Sequence, residues 1–523
     1  MTTPLHCPIC GIKSTLKCGG CRNVVYCGKE HQKEHWRKGH KAQCKCFEIS
    51  RNQTLGRHLM ATRDIKKGEI ILREFPILAG PKTLSAPICL GCNNLLALQS
   101  GQIDFYKCSK CTWPLCGPQC EVSKYHRSEC KLMADKKFVC SIKHSADQKR
   151  EPAYCAIVPL RCMLLKSEKP ETFSKISELE DHLDERINTP VYKVLKANLV
   201  TFIHTILNIT DFDEREILKI AAILDTNTFE VRHQASKLRA LYLSAAMISH
   251  ECIPNTRHLF DDNMEILVVA TVDIPKGAVI TTTYTQSLKS TLMRREHLRQ
   301  SKCFDCCCSR CKDPTELNSF AGAICCSKCK IGKVISTDPL DNVAVWKCQL
   351  CPHEIPAKQI SWGNAALQKE AEMLDRTNPV AFEEFLIRYQ DTLHEKNTHV
   401  LQIKYALTQL YGNVKGFFLS ELSDAAVQRK IDLCLEMLQI AELFEPGWGH
   451  FRGILLLDLQ EVLAVQTKRE YNAQLITKES AQEKLTESMQ LLQEAIQILS
   501  LEPGMKDILQ ERVAALAKEI EME

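Results

Sequence analysis

Cysteines and histidines recur along this chain at spacings that suit a metal ion. The first run is Cys7-x2-Cys10-x7-Cys18-x2-Cys21-x5-Cys27-x3-His31-x8-His40-x3-Cys44, eight ligands in all. Structural zinc takes four Cys or His ligands in a tetrahedron, and a Cys-x2-Cys turn presents two sulfurs to one ion, so eight ligands make two sites. A second run, Cys89-x2-Cys92-x15-Cys108-x2-Cys111-x4-Cys116-x3-Cys120-x5-His126-x3-Cys130, makes two more. Cys306-x-Cys308-x2-Cys311 offers three ligands, and spacing alone leaves the fourth open among Cys252, Cys303, Cys307 and Cys325. Cys326-x2-Cys329-x18-Cys348-x2-Cys351 has the two-knuckle spacing of a zinc ribbon. About six zinc ions are expected. Cys46, Cys140, Cys155, Cys162 and Cys434 fit no ligand pattern and read as small buried apolar residues.

The elements that position these ligands need several domains, because 523 residues exceed one hydrophobic core. Hydrophobic content of 45% with 25% charge is that of a folded globular chain. The opening MTTPLHCPICG has no apolar signal core, and no run of about 18 apolar residues is present, so an intracellular, soluble protein without a membrane partner is expected. In that compartment thiols stay reduced, and 29 cysteines point to metal rather than disulfides. The formal charge of +5 is altered by zinc: 21 thiolates and six Zn²⁺ contribute −9, giving −4. Net basicity is therefore no argument for nucleic acid, and no base-reading Cys-x2-Cys-x12-His-x3-His pattern occurs. Charge is instead polarised. Residues 1–46 hold nine Lys/Arg against Glu30 and Glu34, while residues 361–523 hold 16 Lys/Arg against 26 Asp/Glu.

Two repeats organise the chain. The cysteine pattern of residues 7–44 returns at 89–130, and ATRDIKKGEII (61–71) returns as ATVDIPKGAVI (270–280). In the latter, apolar residues flank a Lys-Gly turn, predicting strand, turn, strand in a β domain split by more than 170 residues of inserted chain. PVYKVLKANLVTFIHTILNI predicts an inserted helical segment, and from about 360 onward amphipathic patterns predict six or seven helices, broken near Pro379, Gly412, Pro446 and Pro503.

Several ordered motifs then agree: LGRHLMATRDIKKGEIILREFP, NTF at 227–229, SHECIPNT at 249–256, GAVITTTYT ending near Tyr284, and CFDCCCSRC. Together they resemble the SET domain of the SMYD family, and the extra amino-terminal finger is most similar to the arthropod SmydA subgroup. The first cysteine run, with Tyr26 before Cys27 and Trp36 before His40, resembles a MYND finger, and the second is MYND-like.

The resemblance implies an α+β fold divided as follows: 1-46 amino-terminal MYND finger, 47-84 first part of the SET domain, 85-132 second MYND-like finger, 133-225 helical insert, 226-300 SET core, 301-315 post-SET zinc motif, 316-360 zinc ribbon-like segment, and 361-523 TPR-like helical array. It implies that Cys7, Cys10, Cys27 and His31 share one zinc and Cys18, Cys21, His40 and Cys44 another, and that Cys252 completes the group of Cys306, Cys308 and Cys311. It further implies S-adenosyl-L-methionine as cofactor, contacted by Arg57, Asn227, Ser249, His250, Tyr284 and Phe304, with Tyr284 also the catalytic phenol. The activity implied is methylation of a lysine in a protein substrate, histone or other, in regulation of gene expression. Such a site positions and desolvates its reactants and needs little acid–base machinery. Three positions depart from the family pattern: Ser249 for Asn, His58 for the second Gly of a GxG turn, and Lys302 for a tyrosine. These motivate a second reading, a weakly active or inactive scaffold whose MYND grooves bind proline-containing peptides or deacetylase corepressor complexes. Nucleus and cytoplasm are both expected locations.

Overall fold

A computed structural model describes residues 6–96, 105–140, 142, 152–234 and 236–521. The first five and last two residues of the predicted end segments, part of the Cys92–Cys108 loop and residues 143–151 of the helical insert lie outside the described residues.

The split β domain is built from short sheets. Strands β1 (Phe47–Asn52) and β2 (Gly56–Ala61) form a hairpin in which Ser50 stands opposite His58. After β3 (Ile70–Glu74) and β4 (Leu78–Pro81) the chain leaves for the second finger and the helical insert. In the insert, α1 (Ile157–Glu168) is buried on nearly all sides, and its Arg161 donates to the Ala79 carbonyl and to the Glu129 carboxylate, tying the second finger to β4. The helix α2 (Glu214–Asn227) starts with a reciprocal cap: the Asp213 carboxylate accepts from the Glu216 amide at 2.8 Å, and the Glu216 carboxylate accepts from the Asp213 amide at 2.9 Å. It buries Ile217, Leu218, Ile220, Ala221, Ile223 and Leu224, at about 1.5–3 kcal/mol for each large aliphatic side chain. The chain then returns through β5 (Thr228–His233), β6 (Ser236–Leu241), β7 (Ser249–His250), β8 (Thr256–Phe260), β9 (Ile266–Ala270) and β10 (Thr281–Thr282). Sheet orders are β4-β6-β5 and β8-β9-β3, so each joins one half of the split domain to the other, and β7 pairs in parallel with β10.

The two repeats in the sequence are partners in space. Ile65 and Ile274 exchange both backbone hydrogen bonds at 2.8 Å. Asp64 accepts from the Lys276 amide at 2.9 Å, while Asp273 accepts from the Lys67 amide at 2.8 Å. Gly68 and Gly277 both turn at φ 83°, a left-handed conformation that glycine adopts without penalty. The pseudosymmetric pair clasps the halves that the insertions separate.

Beyond α3 (Thr291–Lys302) and the ribbon sheet, seven helices follow: α4 (Ala357–Met373), α5 (Pro379–Tyr389), α6 (Thr398–Leu410), α7 (Asp424–Phe444), α8 (His450–Asn472), α9 (Lys478–Leu499) and α10 (Met505–Glu521). Successive helices pack through Phe382, Phe385, Leu407, Leu433 and Val462, then through Leu456, Leu492, Ile498, Leu509 and Leu516. The break between α8 and α9 carries no Gly or Pro. Gln474 ends α8 at a left-handed φ of 59°, and Thr477 caps α9 through its side chain. The array docks on the β domain at the clasp: Trp448 donates its amide to the Thr271 carbonyl at 2.8 Å, and its ring lies over Gly68.

Candidate active site and metal centres

The cysteine and histidine runs fold into tetrads. The ligand atoms of Cys7, Cys10, Cys27 and His31 lie within 4.8 Å of one another, as do those of Cys18, Cys21, His40 and Cys44. The second finger repeats this interleaving, with Cys89, Cys92, Cys116 and Cys120 in one group and Cys108, Cys111, His126 and Cys130 in the other. Cys252 joins Cys306, Cys308 and Cys311, and Cys326 and Cys351 meet at 3.6 Å beside Cys329 and Cys348 at 3.7 Å. Four sulfurs around zinc at about 2.3 Å stand about 3.8 Å apart. The observed 3.5 Å for Cys10–Cys27, Cys92–Cys116 and Cys252–Cys311 is near that spacing, so the donor sets fit zinc.

The Cys252 tetrad adjoins the second site. Its neighbour His250 sits in β7, whose pairing with β10 brings the ring beside the segment that follows. His250 Nδ1 accepts the Tyr284 amide hydrogen at 3.0 Å, which places the imidazole proton on Nε2, 3.3 Å from Cys252 Sγ. Burial holds His250 down to about 4, so it is neutral at pH 7. Its ring centroid lies 5.3 Å from Tyr284 and 5.9 Å from Phe304. Burial raises the Tyr284 phenol, which stays protonated and donates to the Ile248 carbonyl. The Ser249 backbone pairs with Thr281.

Asn227 ends α2. Its amide nitrogen donates to the Glu180 carbonyl at 2.8 Å and to the Ile223 carbonyl at 2.7 Å. Both donors are spent, and among the described residues Oδ1 has no hydrogen-bond partner, which leaves an oriented acceptor. Arg57 in β2 donates to the Glu178 carbonyl, so Arg57 and Asn227 grip one short segment, 178–180. His58, which stands for the second Gly of a GxG turn, pairs within the β1–β2 hairpin without a positive φ, and the left-handed turn is carried by Gly56 at φ 62°.

A cavity of 480 Å³ opens between these elements, lined in part by Asn227, Phe229, His258, Tyr284, His297 and Lys302. Phe229 and His258 meet edge to face at 5.2 Å, and Phe260 stands 5.6 Å from His258. Burial holds His258 down to about 4. Lys302, the last residue of α3, donates from Nζ to the Thr226 carbonyl at 2.6 Å and lies 5.5 Å from the Tyr284 ring centroid. A larger cavity of 730 Å³, between the β domain and the helical array, shares Thr285 and Gln286 with the first. The predicted site residues Asn227, Ser249, His250, Tyr284 and Phe304 are thus neighbours, with Arg57 joined to Asn227 through the segment 178–180. Glu178, Glu180 and His258 carried no motif that spacing could have revealed.

A split β domain with a cysteine tetrad beside the His250–Tyr284 pair, together with the interleaved Cys/His tetrads of residues 7–44, defines a SET-domain protein with a MYND-type finger. Residues 7–44 match the MYND finger family and residues 56–285 match the SET domain family. The chain belongs to the SMYD family. It is similar to the SET domain-containing protein SmydA-8 of Drosophila melanogaster, being 30% identical to isoform B over 61% of this chain and 70% of that protein, and 29% identical to isoform A over 61% and 68%. The histone-lysine N-methyltransferase ASHR1 of Arabidopsis thaliana is 28% identical over 59% of this chain and 64% of its own length. The solved SET domain of LSMT with lysine and AdoHcy covers 93% of this chain and 91% of its own, at 12% identity and a TM-score of 0.27.

Proposed function

We propose that this chain is an S-adenosylmethionine-dependent protein-lysine N-methyltransferase. The observation that carries the reading is the convergence of Asn227 and Tyr284 on one 480 Å³ cavity, with Asn227 Oδ1 left free to accept a hydrogen bond. These residues fit the cofactor: Oδ1 would accept a hydrogen bond from it, and the rings of His250 and Phe304, grouped with Tyr284, would meet its apolar surface. When bound, S-adenosylmethionine supplies an electrophilic methyl group on sulfur. The remaining work falls to the chain. Phe229 and the Tyr284 ring confine an alkyl chain and exclude water from it. The Tyr284 hydroxyl is held by Ile248, so the ring is fixed. The neutral imidazole of His250 adds no charge. Desolvation by these walls favours the neutral, nucleophilic amine over the ammonium. The larger cavity leads from the helical array to Thr285 and Gln286, giving a protein substrate a route to Tyr284.

Calorimetric titration of S-adenosylmethionine into zinc-loaded protein tests the reading. Saturable binding at about 100 μM or tighter, together with transfer of labelled methyl to a lysine that Tyr284→Phe diminishes, supports it. No binding by folded, metallated protein rejects it. One observation favours the scaffold reading instead: Lys302 points its amine into the cavity. On that reading the exposed Trp36 beside His40 offers a surface for proline-containing peptides of a corepressor partner.

A further inference from the structure

The cavity of Asn227 and Tyr284 holds a cation of its own. Cys303 turns the chain at a left-handed φ of 57° directly after Lys302, and the Lys302 side chain runs inward to the Thr226 carbonyl. Arg186 binds the same short segment, donating to Thr226 Oγ1 at 3.1 Å and to the Ser301 carbonyl at 2.8 Å. Lys289 also lines the cavity. Among the described lining residues the one carboxylate is Glu230, and it is engaged by Lys82 and by Lys237, the latter at 3.6 Å. His258 and His297 both lie below the ordinary imidazole value, which leaves them neutral at pH 7. The charge facing the cavity is therefore positive, although its aromatic walls, Phe229 and Tyr284, suit an alkyl amine. A protonated amine entering beside Lys302 meets like charge between the aromatic walls, and like charge disfavours the charged form.

We propose that Lys302 is a specificity-determining residue of this cavity: its ammonium rejects a protonated acceptor and admits an alkyl amine only in neutral form. The inference rests on the methyltransferase reading for the identity of the acceptor. Its substrate class is then an amine that reaches the cavity already neutral, such as a lysine whose pKa is lowered by its own surroundings, rather than an ordinary solvent-exposed lysine.

The test uses the full zinc-loaded chain without cofactor, and two probes of equal size, n-butylammonium and 1-butanol, followed by saturation-transfer NMR at pH 7. Wild type, Lys302→Gln and Lys302→Arg are compared. Gln retains a donor for the Thr226 carbonyl without the charge, and Arg retains the charge. Expected is n-butylammonium binding at least tenfold tighter to Lys302→Gln than to wild type or Lys302→Arg, with 1-butanol changing less than about twofold across the three. Equal gains for both probes on Lys302→Gln would mean that Lys302 merely fills space, and would overturn the proposal. So would wild type binding n-butylammonium as well as 1-butanol, or failing to bind 1-butanol at all. Should Lys302→Gln lose zinc or fold, the wild-type ratio of the two probes still decides. Cofactor titration of the same wild-type preparation separates the two claims, since absence of S-adenosylmethionine binding rejects the methyltransferase reading whatever the probes show.

Discussion

Arg294 and Cys252 stand 42 residues apart in sequence and 3.2 Å apart in space, guanidinium Nε against sulfur. The same guanidinium reaches Cys311 Sγ at 3.5 Å and Glu316 Oε2 at 2.8 Å, and Arg310 Nε donates to that same oxygen at 3.1 Å. A zinc tetrathiolate carries −2, so a wholly buried arginine beside it supplies interior countercharge. Removing it as Arg294→Met leaves thiolates and Glu316 undercompensated, at a cost of about 3–5 kcal/mol. Expected are a lower unfolding midpoint and early loss of one zinc per chain to a chelator. Unchanged metal retention would show that the tetrad needs no such partner.

Asn227 has a divided role, and alanine removes both halves of it. Its amide nitrogen anchors the 178–180 segment, and its oxygen is the proposed cofactor acceptor. Asn227→Ala should weaken S-adenosylmethionine binding by about 10- to 100-fold, equivalent to about 1–3 kcal/mol. Calorimetry at constant zinc content measures this, and an unaltered affinity would exclude Oδ1 from the cofactor site.

The parts of this molecule legible from sequence are those encoded by spacing or repetition. Cys-x2-Cys knuckles fix which residues can share an ion. The Lys-Gly repeats at 61–71 and 270–280 marked both halves of the split domain, and they bond to each other. The site was legible only where motif residues lie in it, as at Asn227, His250 and Tyr284. Arg294, Glu316 and His258 act through contacts across the chain, which leave no local period. The direction of Lys302 was equally hidden, because it depends on the left-handed turn at Cys303 and on a carbonyl 76 residues away. Two of the helix ends also lacked a breaker residue, since an ordinary residue such as Gln474 adopts the terminating conformation.

The paired glycines make a controlled experiment. Gly68 and Gly277 share φ 83°, but a Cβ at Gly68 would stand 2.3 Å from the Trp448 ring, whereas at Gly277 nothing lies within 4 Å. Gly277→Ala should cost only the left-handed penalty, about 1–2 kcal/mol. Gly68→Ala should cost that plus overpacking of about 1–3 kcal/mol, expressed as loosening of the helical array from the β domain. Equilibrium unfolding and limited proteolysis at the array boundary report the difference. Adding Trp448→Ala should relieve the clash in Gly68→Ala, and equal costs at the two glycines would remove Trp448 from the docking contact.

Lys302 also predicts how stability depends on pH. Burial, reinforced by Arg186 and opposed by Asp225, holds its amine down to about 8 from an ordinary 10.5. Below pH 8 both folded and unfolded chains carry the proton, and the folded chain bears the full penalty of a desolvated charge. Between pH 8 and 10.5 the unfolded chain binds more protons than the folded one, so this residue's contribution to stability rises with pH. At 1.36 kcal/mol per unit the gap amounts to at most about 3 kcal/mol, and the bond to Thr226 returns about 1 kcal/mol of it when the residue is kept. Lys302→Met should therefore stabilise the protein at pH 7 by about 1–2 kcal/mol, and the advantage should shrink toward pH 10 and then reverse as wild type becomes neutral there and keeps its hydrogen bond. Comparing denaturant midpoints of the two proteins at pH 7 and pH 10 cancels the titration of the tyrosines and zinc ligands they share. An advantage that is constant with pH would mean that Lys302 is solvated in the folded chain, which would also remove the basis for its selecting a neutral acceptor.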